Sequence, residues 1–453
     1  MGPDLAIMPV RPRLTVLGAG YLGVSHAVCL AELGFEVLGV DTDEIRVETL
    51  TAGEMPFFEP GLQSMLRRGL SSGLLRFTVS YPEAAAFGDV HFVCVGTPQR
   101  KDTGSADLSQ VNGCIAALAP LLNSPCLVVG KSTVPVGTAA VAAKELTRLS
   151  PVGDAAELAW NPEFLREGSA VQDTLSPDRI VAGVQSHRAE AMLRQVYAAA
   201  LAAGTPFFVT DLATAELAKA AANSFLATKI SFINAMAEVC ETAGGDVAVL
   251  SQVLGADRRI GPAFLRPGLG FGGGCLPKDI RAFMARITEL GAGHALGILG
   301  EVDAINLRCR VRMVDLAREL AGGSLMGRTV GVLGAAFKPN SDDIRDSPAL
   351  EVARDIHDLG AQVTVYDPVA MDKARLAYPE LRYAASAVGA ACDADVLLLL
   401  TEWEEFRDAD PEVLGKAVAQ RKIADGRNAL DPDLWCAAGW CYRALGRRGP
   451  SVD

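Results

Sequence analysis

The chain contains 453 residues, of which 50% are hydrophobic and 21% are charged, and its net charge is −12. This length predicts two or three domains. The acidic balance, with no run of Lys or Arg, argues against a nucleic-acid-binding protein, because neutralising phosphates needs clustered cations. No apolar run approaches the roughly 18–20 residues that span a bilayer, so no membrane segment is expected.

The cysteine and histidine patterns favour a reduced protein without a metal. Ten cysteines are present and none forms a CxxC pair, and the first ten residues do not have the pattern of a signal peptide. We therefore expect a cytoplasmic protein without a disulfide framework. The five histidines are scattered and no HExxH occurs, which argues against a zinc site.

The first two hundred residues alternate short apolar strands with helical stretches, which predicts βαβ units and a parallel sheet. The expected strands cover residues 14–17, 36–40, 90–95, 126–129, 158–160, 180–184 and 207–209.

A GxGxxG sequence, residues 18–23, follows the first strand and opens a helix. In such a turn Gly18 permits the tight bend, Gly20 lets the backbone approach a pyrophosphate, and Gly23 lets the helix pack on the strand. Asp41 ends the second strand and is placed to accept ribose hydroxyls, so it favours NAD over NADP. Arg46 could lie beside this cofactor or on the surface of a helix.

The middle of the chain reads as helical. Residues 211–243 predict one helix about 45–50 Å long, and further helices follow Pro277 and cover about 294–320. After Gly322-Gly323 the α/β pattern returns, with strands at 329–333 and 362–366 around a helix at 348–359. We predict an α/β protein with two Rossmann-like, doubly wound sheets joined by a long central helix, and domains over 1–210, 211–322 and 323–453.

The stretch from Phe271 to Asp279, FGGGCLPKD, has the pattern of a reactive segment. Its glycines expose Cys275 just before Pro277, a typical first helical residue, and a helix N-terminus stabilises thiolate. Asp279 lies one helical turn later, where it would supply an acid/base group. The alternative is a small buried hydrophobe, the commoner fate of cysteine, which we expect for Cys29, Cys94, Cys126 and Cys240.

Lys219 and Asn223 stand four residues apart on the long predicted helix, in an Ala-rich context. Such a lysine is either a snorkelling surface residue or the cation of a site.

Taken together, these motifs resemble the nucleotide-sugar 6-dehydrogenases of the UDP-glucose/GDP-mannose dehydrogenase family, over nearly the whole chain and most closely the bacterial UDP-glucose branch. The other matching motifs, in family order, are residues 96–98 (GTP), 105–108 (SADL), 131–135 (KSTVP), 161–168 (NPEFLREG), Lys219 with Asn223, 272–279 (GGGCLPKD), 337–338 (FK) and 425–427 (DGR).

The resemblance implies oxidation of the C6 hydroxymethyl of UDP-glucose to a carboxylate, with two NAD reduced and one water consumed. Cys275 is then the nucleophile, which forms a thiohemiacetal and then a thioester. Asp279 or Lys219 takes the hydroxyl proton, Lys219 and Asn223 hold the oxyanion, and Glu163 or Asp279 assists the water. Thr133 is implied to belong to the same catalytic set.

The resemblance also implies the binding residues. Cofactor contacts fall on Gly18, Gly20, Tyr21, Leu22, Gly23, Asp41, Arg46, Thr97, Thr133, Glu167, Lys278 and Arg345. Substrate contacts fall on Glu163, Phe164, Leu165, Lys219, Asn223, Arg259, Phe264, Leu265, Gly272, Lys338 and Arg427. In the family the long helix forms the dimer core and the arginine matching Arg259 reaches in from a neighbouring subunit, so a homodimer or higher homo-oligomer is implied.

Several positions depart from the family pattern. Gly274 stands where serine is usual, Ala220 where tyrosine is common, and Ala235 where an acid is usual. Residues 264–268 are similar to GDP-mannose dehydrogenases, whereas residues 163–170 and 225–229 resemble the UDP-glucose branch. The alternatives are a GDP-mannose or other nucleotide-sugar 6-dehydrogenase, a two-electron hydroxyacid-type dehydrogenase, and a non-catalytic NAD-dependent binding protein.

Overall fold

The computed structural model describes residues 11–100 and 102–447. The chain divides into two compact units, one up to Ala221 and one from Ala222 onward. A 32-residue helix, Leu212–Ala243, runs through the point of division. The division into 1–210, 211–322 and 323–453 stays a prediction, and the expectation about the first ten residues lies outside the described residues.

The first unit is built on an eight-stranded sheet in the order β3-β2-β1-β4-β5-β6-β7-β8. Its strands are β1 Leu14–Leu17, β2 Val37–Val40, β3 Leu75–Thr78, β4 Val90–Val93, β5 Cys126–Gly130, β6 Ala156–Trp160, β7 Ile180–Gly183 and β8 Phe207–Thr210. All seven predicted strands are confirmed. The strand β3 was not predicted, because it is short, lies at the sheet edge and buries only Leu75 fully.

One pair of strands departs from the predicted parallel sheet. Strands β6 and β7 pair antiparallel, through Trp160 and Gly183, whereas the other neighbouring pairs are parallel. The connection between β6 and β7 contains only the six-residue helix Ala170–Leu175, about 9 Å long. This helix is too short to carry the chain back along the sheet, so β7 enters from the opposite end.

Helices cover both faces of this sheet, which explains why its strands are apolar throughout. Along β1, Leu14 and Val16 join one core cluster and Leu17 joins the other. The helices are α1 Tyr21–Glu32, α2 Glu44–Thr51, α3 Leu62–Ser71, α4 Tyr81–Phe87, α5 Ser109–Leu118, α6 Thr138–Leu149, α7 Ala170–Leu175, α8 His187–Val196, α9 Ala198–Ala202 and α10 Leu212–Ala243, with short 3-10 helices at Ala119–Leu121 and Gly153–Ala155.

The second unit contains a six-stranded parallel sheet in the order β11-β10-β9-β12-β13-β14. Its strands are β9 Thr329–Leu333, β10 Gln362–Tyr366, β11 Arg382–Tyr383, β12 Val396–Leu399, β13 Lys422–Asp425 and β14 Cys441–Ala444. Its helices are α11 Val247–Ala256, α12 Leu276–Glu289, α13 Gly297–Leu320, α14 Pro348–Asp358, α15 Met371–Ala377, α16 Ala387–Ala391, α17 Glu404–Arg407, α18 Pro411–Gly415 and α19 Pro432–Ala437, with a 3-10 helix at Gly293–Leu296. The predicted fold of two Rossmann-like sheets and a long helix is confirmed.

The cysteines lie mostly in the interior. All ten belong to the described residues and form no disulfide. Cys29, Cys94, Cys126 and Cys240 are buried as predicted, whereas Cys275 is exposed. Across residues 11–100 and 102–447, we find no helix with both the length and the apolar character needed to cross a bilayer. The same residues contain no cluster of three or more His, Cys, Asp or Glu side chains suited to a metal ion.

Candidate active site

The GxGxxG turn lies where the strand order of the first sheet reverses, between β1 and β4, the place where open α/β sheets bind nucleotides. Gly18 has φ +95°, and a Cβ there would lie 2.9 Å from the Cα of Val95. A Cβ on Gly23 would overlap the carbonyl oxygen of Gly18, so only glycine lets α1 pack this closely. At Gly20 an added Cβ would have no described atom within 4 Å. The start of α1 is thus open to a pyrophosphate.

Asp41 lies directly beside this turn. Its carboxylate Oδ2 accepts the backbone N–H of Ala19 at 2.7 Å and a bond from Arg46 Nη1 at 3.2 Å. The Asp41 side chain is 10% exposed. Arg46 therefore lies next to the predicted ribose-binding acid. This position favours a place beside the cofactor over the alternative of a surface helix residue.

Thr97 and Thr133 follow β4 and β5, whose carboxyl ends lie at the same edge of the sheet as the turn. The hydroxyl of Thr97 donates to the main-chain carbonyl of Thr133 at 2.8 Å. This bond ties together the loops that follow β4 and β5, on the β4 side of the GxGxxG turn. The residues of this edge fit a dinucleotide, and the predicted binding of its pyrophosphate at Gly20 and of its ribose at Asp41 stays a prediction.

After β6 the chain forms the 161–169 loop, which holds the predicted Glu163, Phe164, Leu165 and Glu167. Glu163 Oε1 lies 3.0 Å from Lys219 Nζ, and its Oε2 accepts the backbone N–H of Leu165 at 2.7 Å. Phe164 is flanked by two cations, with Arg179 Cζ 3.9 Å and Lys219 Nζ 5.6 Å from the ring centroid. Lys219 is buried, so the surface interpretation of this lysine is wrong.

Lys131 and Glu59 are buried charged residues of the first unit that the sequence patterns did not single out. Lys131 Nζ donates to Asn161 Oδ1 at 2.9 Å and to Tyr197 Oη at 3.1 Å, which fixes the start of the 161–169 loop. Glu59 accepts backbone N–H bonds from the end of the same loop. The available signal was the same for both: one charged residue inside an otherwise apolar run.

In the second unit Cys275 is the N-cap residue of α12, and Pro277 occupies the first turn of that helix. The predicted position of Cys275 at a helix N-terminus is confirmed, and its exposure excludes the buried alternative. The main-chain carbonyl of Cys275 accepts the N–H of Asp279 at 2.9 Å, so the two residues are one helical turn apart. The positive end of the helix favours thiolate at this position.

Asp279 is buried and held on both carboxylate oxygens. Asn223 Nδ2 donates to Oδ2 at 2.7 Å, and Lys278 Nζ donates to Oδ1 at 2.5 Å. The amide of Asn223 is thus directed at a carboxylate in this structure, while an oxyanion was the predicted partner. Lys278 likewise contacts Asp279, and its role as a cofactor contact stays a prediction.

The glycines before Cys275 lie against the segment that follows β9. Gly273 has φ +83° and its N–H donates to the carbonyl of Arg345 at 2.9 Å. A Cβ on Gly274 would overlap the guanidinium of Arg345. Arg345 is itself paired with Asp343 at 2.7 Å. The departure at Gly274 therefore makes room for Arg345, a predicted cofactor contact.

The remaining predicted substrate residues of the second unit differ in exposure. Arg427 donates to the carbonyls of Gly270, Phe337 and Leu400 at 3.0, 3.0 and 2.7 Å, so it ties loops together in this structure. Arg259 is exposed and paired with Asp257. Leu265 and Gly272 are buried, whereas Phe264, with φ +63°, and Lys338 are half-buried.

Three family models match this chain. They describe the NAD-binding domain (residues 12–201), the central domain (213–308) and the UDP-binding domain (331–432) of one family. The chain belongs to the UDP-glucose/GDP-mannose dehydrogenase family. Within this family, the GxGxxG turn and Asp41 lie in the NAD-binding domain, and NAD is the cofactor that this unit takes. Lys338, Arg345 and Arg427 lie in the UDP-binding domain.

Relatives match this family member over almost its full length. The chain is 39% identical to the UDP-glucose 6-dehydrogenase TuaD of Bacillus subtilis, over 96% of this chain and 93% of that protein. It is 41% identical to a UDP-glucose 6-dehydrogenase of Pseudomonas aeruginosa, over 96% and 97%. A UDP-glucose dehydrogenase structure from Pyrobaculum islandicum superposes with a TM-score of 0.89 at 38% identity, covering 99% and 100%.

Proposed function

We propose that this protein catalyses the four-electron oxidation of UDP-glucose to UDP-glucuronate, with NAD as oxidant and Cys275 as nucleophile. The observation that carries the proposal is the exposed Cys275 at the N-terminus of α12, one turn before a buried Asp279. The names of the relatives support UDP-glucose as the substrate.

Bound NAD would accept the hydride that leaves C6 in each of the two oxidations. In the first oxidation Asp279 takes the C6 hydroxyl proton, and the Lys219 ammonium stabilises the developing alkoxide. Donors aimed at a developing oxyanion typically contribute on the order of 3–4 kcal/mol. Lys219 is suited to this role because it is buried and its counter-ion Glu163 already fixes its position.

The sulfur of Cys275 then adds to the aldehyde carbon, and the carbonyl electron pair moves to oxygen. After the second oxidation C6 is a thioester of Cys275. Glu163 takes a proton from the attacking water, the C–S bond breaks, and the thiolate leaves the carboxylate product. The role we assign to Asn223 and Lys278 is to hold the Asp279 carboxylate, through the bonds at 2.7 and 2.5 Å, ready to exchange a proton.

The decisive test is the ratio of NADH formed to sugar consumed, measured with UDP-glucose, GDP-mannose and a panel of other UDP-sugars. We expect two NADH per UDP-glucose and no turnover to the acid in Cys275→Ala. The buried Cys29→Ala is the matched control, and it should keep the ratio of two. A ratio of one, or full activity in Cys275→Ala, would exclude the covalent route. A preference for GDP-mannose would exclude UDP-glucose as the substrate.

We also propose that the protein acts as a homodimer through α10 in a reducing cytoplasm. Phe225, Phe232 and Val239 recur at intervals of seven along α10 and are 67%, 49% and 53% exposed, which is unusual for large apolar residues. A second copy would cover this stripe and bring Arg259 to its site. Light scattering should give twice the chain mass, and Phe232→Glu should give a monomer. Mixing Arg259→Ala with Cys275→Ala chains should restore activity if Arg259 acts across the interface.

A further inference from the structure

Glu59 lies between α2 and α3, in the first unit, and the residue is 6% exposed. Three donors from two distant segments converge on it. The backbone N–H of Gly168 donates to Oε2 at 2.7 Å, and the backbone N–H of Ala170 donates to Oε1 at 2.7 Å. The phenol of Tyr21 donates to Oε2 as well.

These donors belong to two parts of the predicted site. Tyr21 begins α1 within the GxGxxG sequence, whereas Gly168 lies at the end of the 161–169 loop that carries Glu163 and Glu167, and Ala170 begins α7 directly after that loop. Burial and the neighbouring Glu59 raise the pKa of Tyr21, so the phenol keeps its proton and remains a donor. Hydrogen bonds to an ionised acceptor are roughly twice as strong as neutral ones.

We propose that Glu59 is a positioning residue that fixes the 161–169 loop against the cofactor turn. The inference rests on the proposed function, since that function gives the loop its catalytic Glu163 and its cofactor contact Glu167. Lys131 holds the start of the loop through Asn161, and Glu59 holds its end. Both ends are thus tied by buried charges, and the segment between them carries the reacting group.

A carboxylate is needed because every ligand of Glu59 is a donor. Glutamine has the same shape but presents an NH2 group in place of one oxygen, so it would turn a donor toward at least one loop N–H. A buried N–H without an acceptor is costly, and the end of the loop should open. A misplacement of about 1 Å at a reacting group can lower the rate roughly 100-fold.

The experiment compares Glu59→Gln and Glu59→Asp with Glu54→Gln, a nearby exposed acid paired with Arg67. Hydrogen exchange is followed on peptides covering residues 161–172, and kcat and KM for NAD are measured with UDP-glucose. The Kd of UDP and the thermal unfolding curve report whether each variant remains folded.

We expect faster exchange at Gly168 and Ala170 in Glu59→Gln, and a roughly 10–100-fold fall in kcat/KM for NAD. Glu59→Asp, which keeps the carboxylate, should recover part of both, and Glu54→Gln should match the wild type. UDP affinity should not change. If exchange is unaltered, or if it rises while kcat/KM stays at the wild-type value, the positioning role is wrong. If the wild type oxidises no UDP-glucose, the proposed function fails. The positioning role of Glu59 is then decided by NAD affinity, measured by calorimetry, which must be weaker in Glu59→Gln than in the wild type.

Discussion

The ammonium of Lys219 lies 3.0 Å from the carboxylate of Glu163, and the two side chains are 6% and 11% exposed. This ion pair joins the 161–169 loop to the long helix α10 within the first unit. A buried pair of this kind fixes both partners, because neither charge can return to water without losing the other.

The first prediction concerns the thioester. Glu163→Gln removes the base, so hydrolysis should slow roughly 100-fold or more. It also weakens the hold on Lys219, so the oxidations should slow as well, but less than hydrolysis. Mass spectrometry of quenched protein should show the sugar-nucleotide adduct on Cys275. Glu145→Gln, an exposed acid paired with Arg148, is the control. Wild-type turnover without an adduct would assign hydrolysis to another base.

The second prediction compares two aspartates that each follow the second strand of a Rossmann-like sheet. Asp367 follows β10 as Asp41 follows β2, but it is completely buried. Its oxygens accept N–H bonds from the backbone of Ala335, Ala336, Val369 and Ala370 and from the indole of Trp403, at 2.8–3.0 Å. No oxygen is left for a ribose, so calorimetry should give one NAD per chain.

Variants of the same two residues should separate binding from stability. Asp41→Ala should weaken NAD binding about 10- to 100-fold, as expected when charged hydrogen bonds are lost. The free energy of unfolding should change little. Asp367→Asn should leave NAD affinity unchanged and lower the free energy of unfolding by roughly 2–3 kcal/mol. Two NAD per chain, or the opposite pattern, would contradict this assignment.

The third prediction is a pH dependence of stability. Burial lowers the pKa of His91 to about 4, and the ring accepts or donates a 2.7 Å bond with Thr15. The folded protein therefore binds this proton less readily than the unfolded chain, whose histidine has a pKa near 6.5. The contribution of the neutral His91 to the free energy of unfolding is fully present above pH 6.5. It falls as the pH drops toward 4, by roughly 2 kcal/mol at pH 5.

Thermal unfolding at pH 7 and pH 5 checks this sign. In His91→Gln the difference in stability between pH 7 and pH 5 should shrink. His26 contributes to the difference that remains, because burial also lowers its pKa. His187→Gln, at a fully exposed position, should leave the difference as it is in the wild type. A protein that is more stable at pH 5 would contradict the prediction.

The fourth prediction concerns Gly274. A serine there would displace the Arg345 guanidinium, whose side chain is 63% exposed and can move. We expect both Gly274→Ser and Arg345→Ala to raise KM for NAD several-fold, and Gly274→Ser to change the free energy of unfolding by no more than about 0.5 kcal/mol. The double variant should raise KM for NAD no more than either single variant does, because both substitutions remove the same contact. Gly113→Ser, where the added Cβ meets open space, is the control.

The sequence alone predicted the features that depend on neighbouring residues. The apolar strands, the long helix Leu212–Ala243 and the position of Cys275 before Pro277 follow from periodicity, caps and turn residues within a few positions of each other. The GxGxxG turn belongs to the same class, since its glycines act on their own backbone. These features and the family motifs were sufficient for the fold and for the family.

Only the tertiary structure decided the partners of each charged group. Glu163 and Lys219 are 56 residues apart, as are Asn223 and Asp279, and Glu59 is more than 100 residues from Gly168. The antiparallel pairing of β7 with β6 and the enclosure of Asp367 also depend on contacts between distant parts of the chain. Such contacts depend on which elements pack together and on which donors burial leaves in need of an acceptor, and local periodicity carries no information about either.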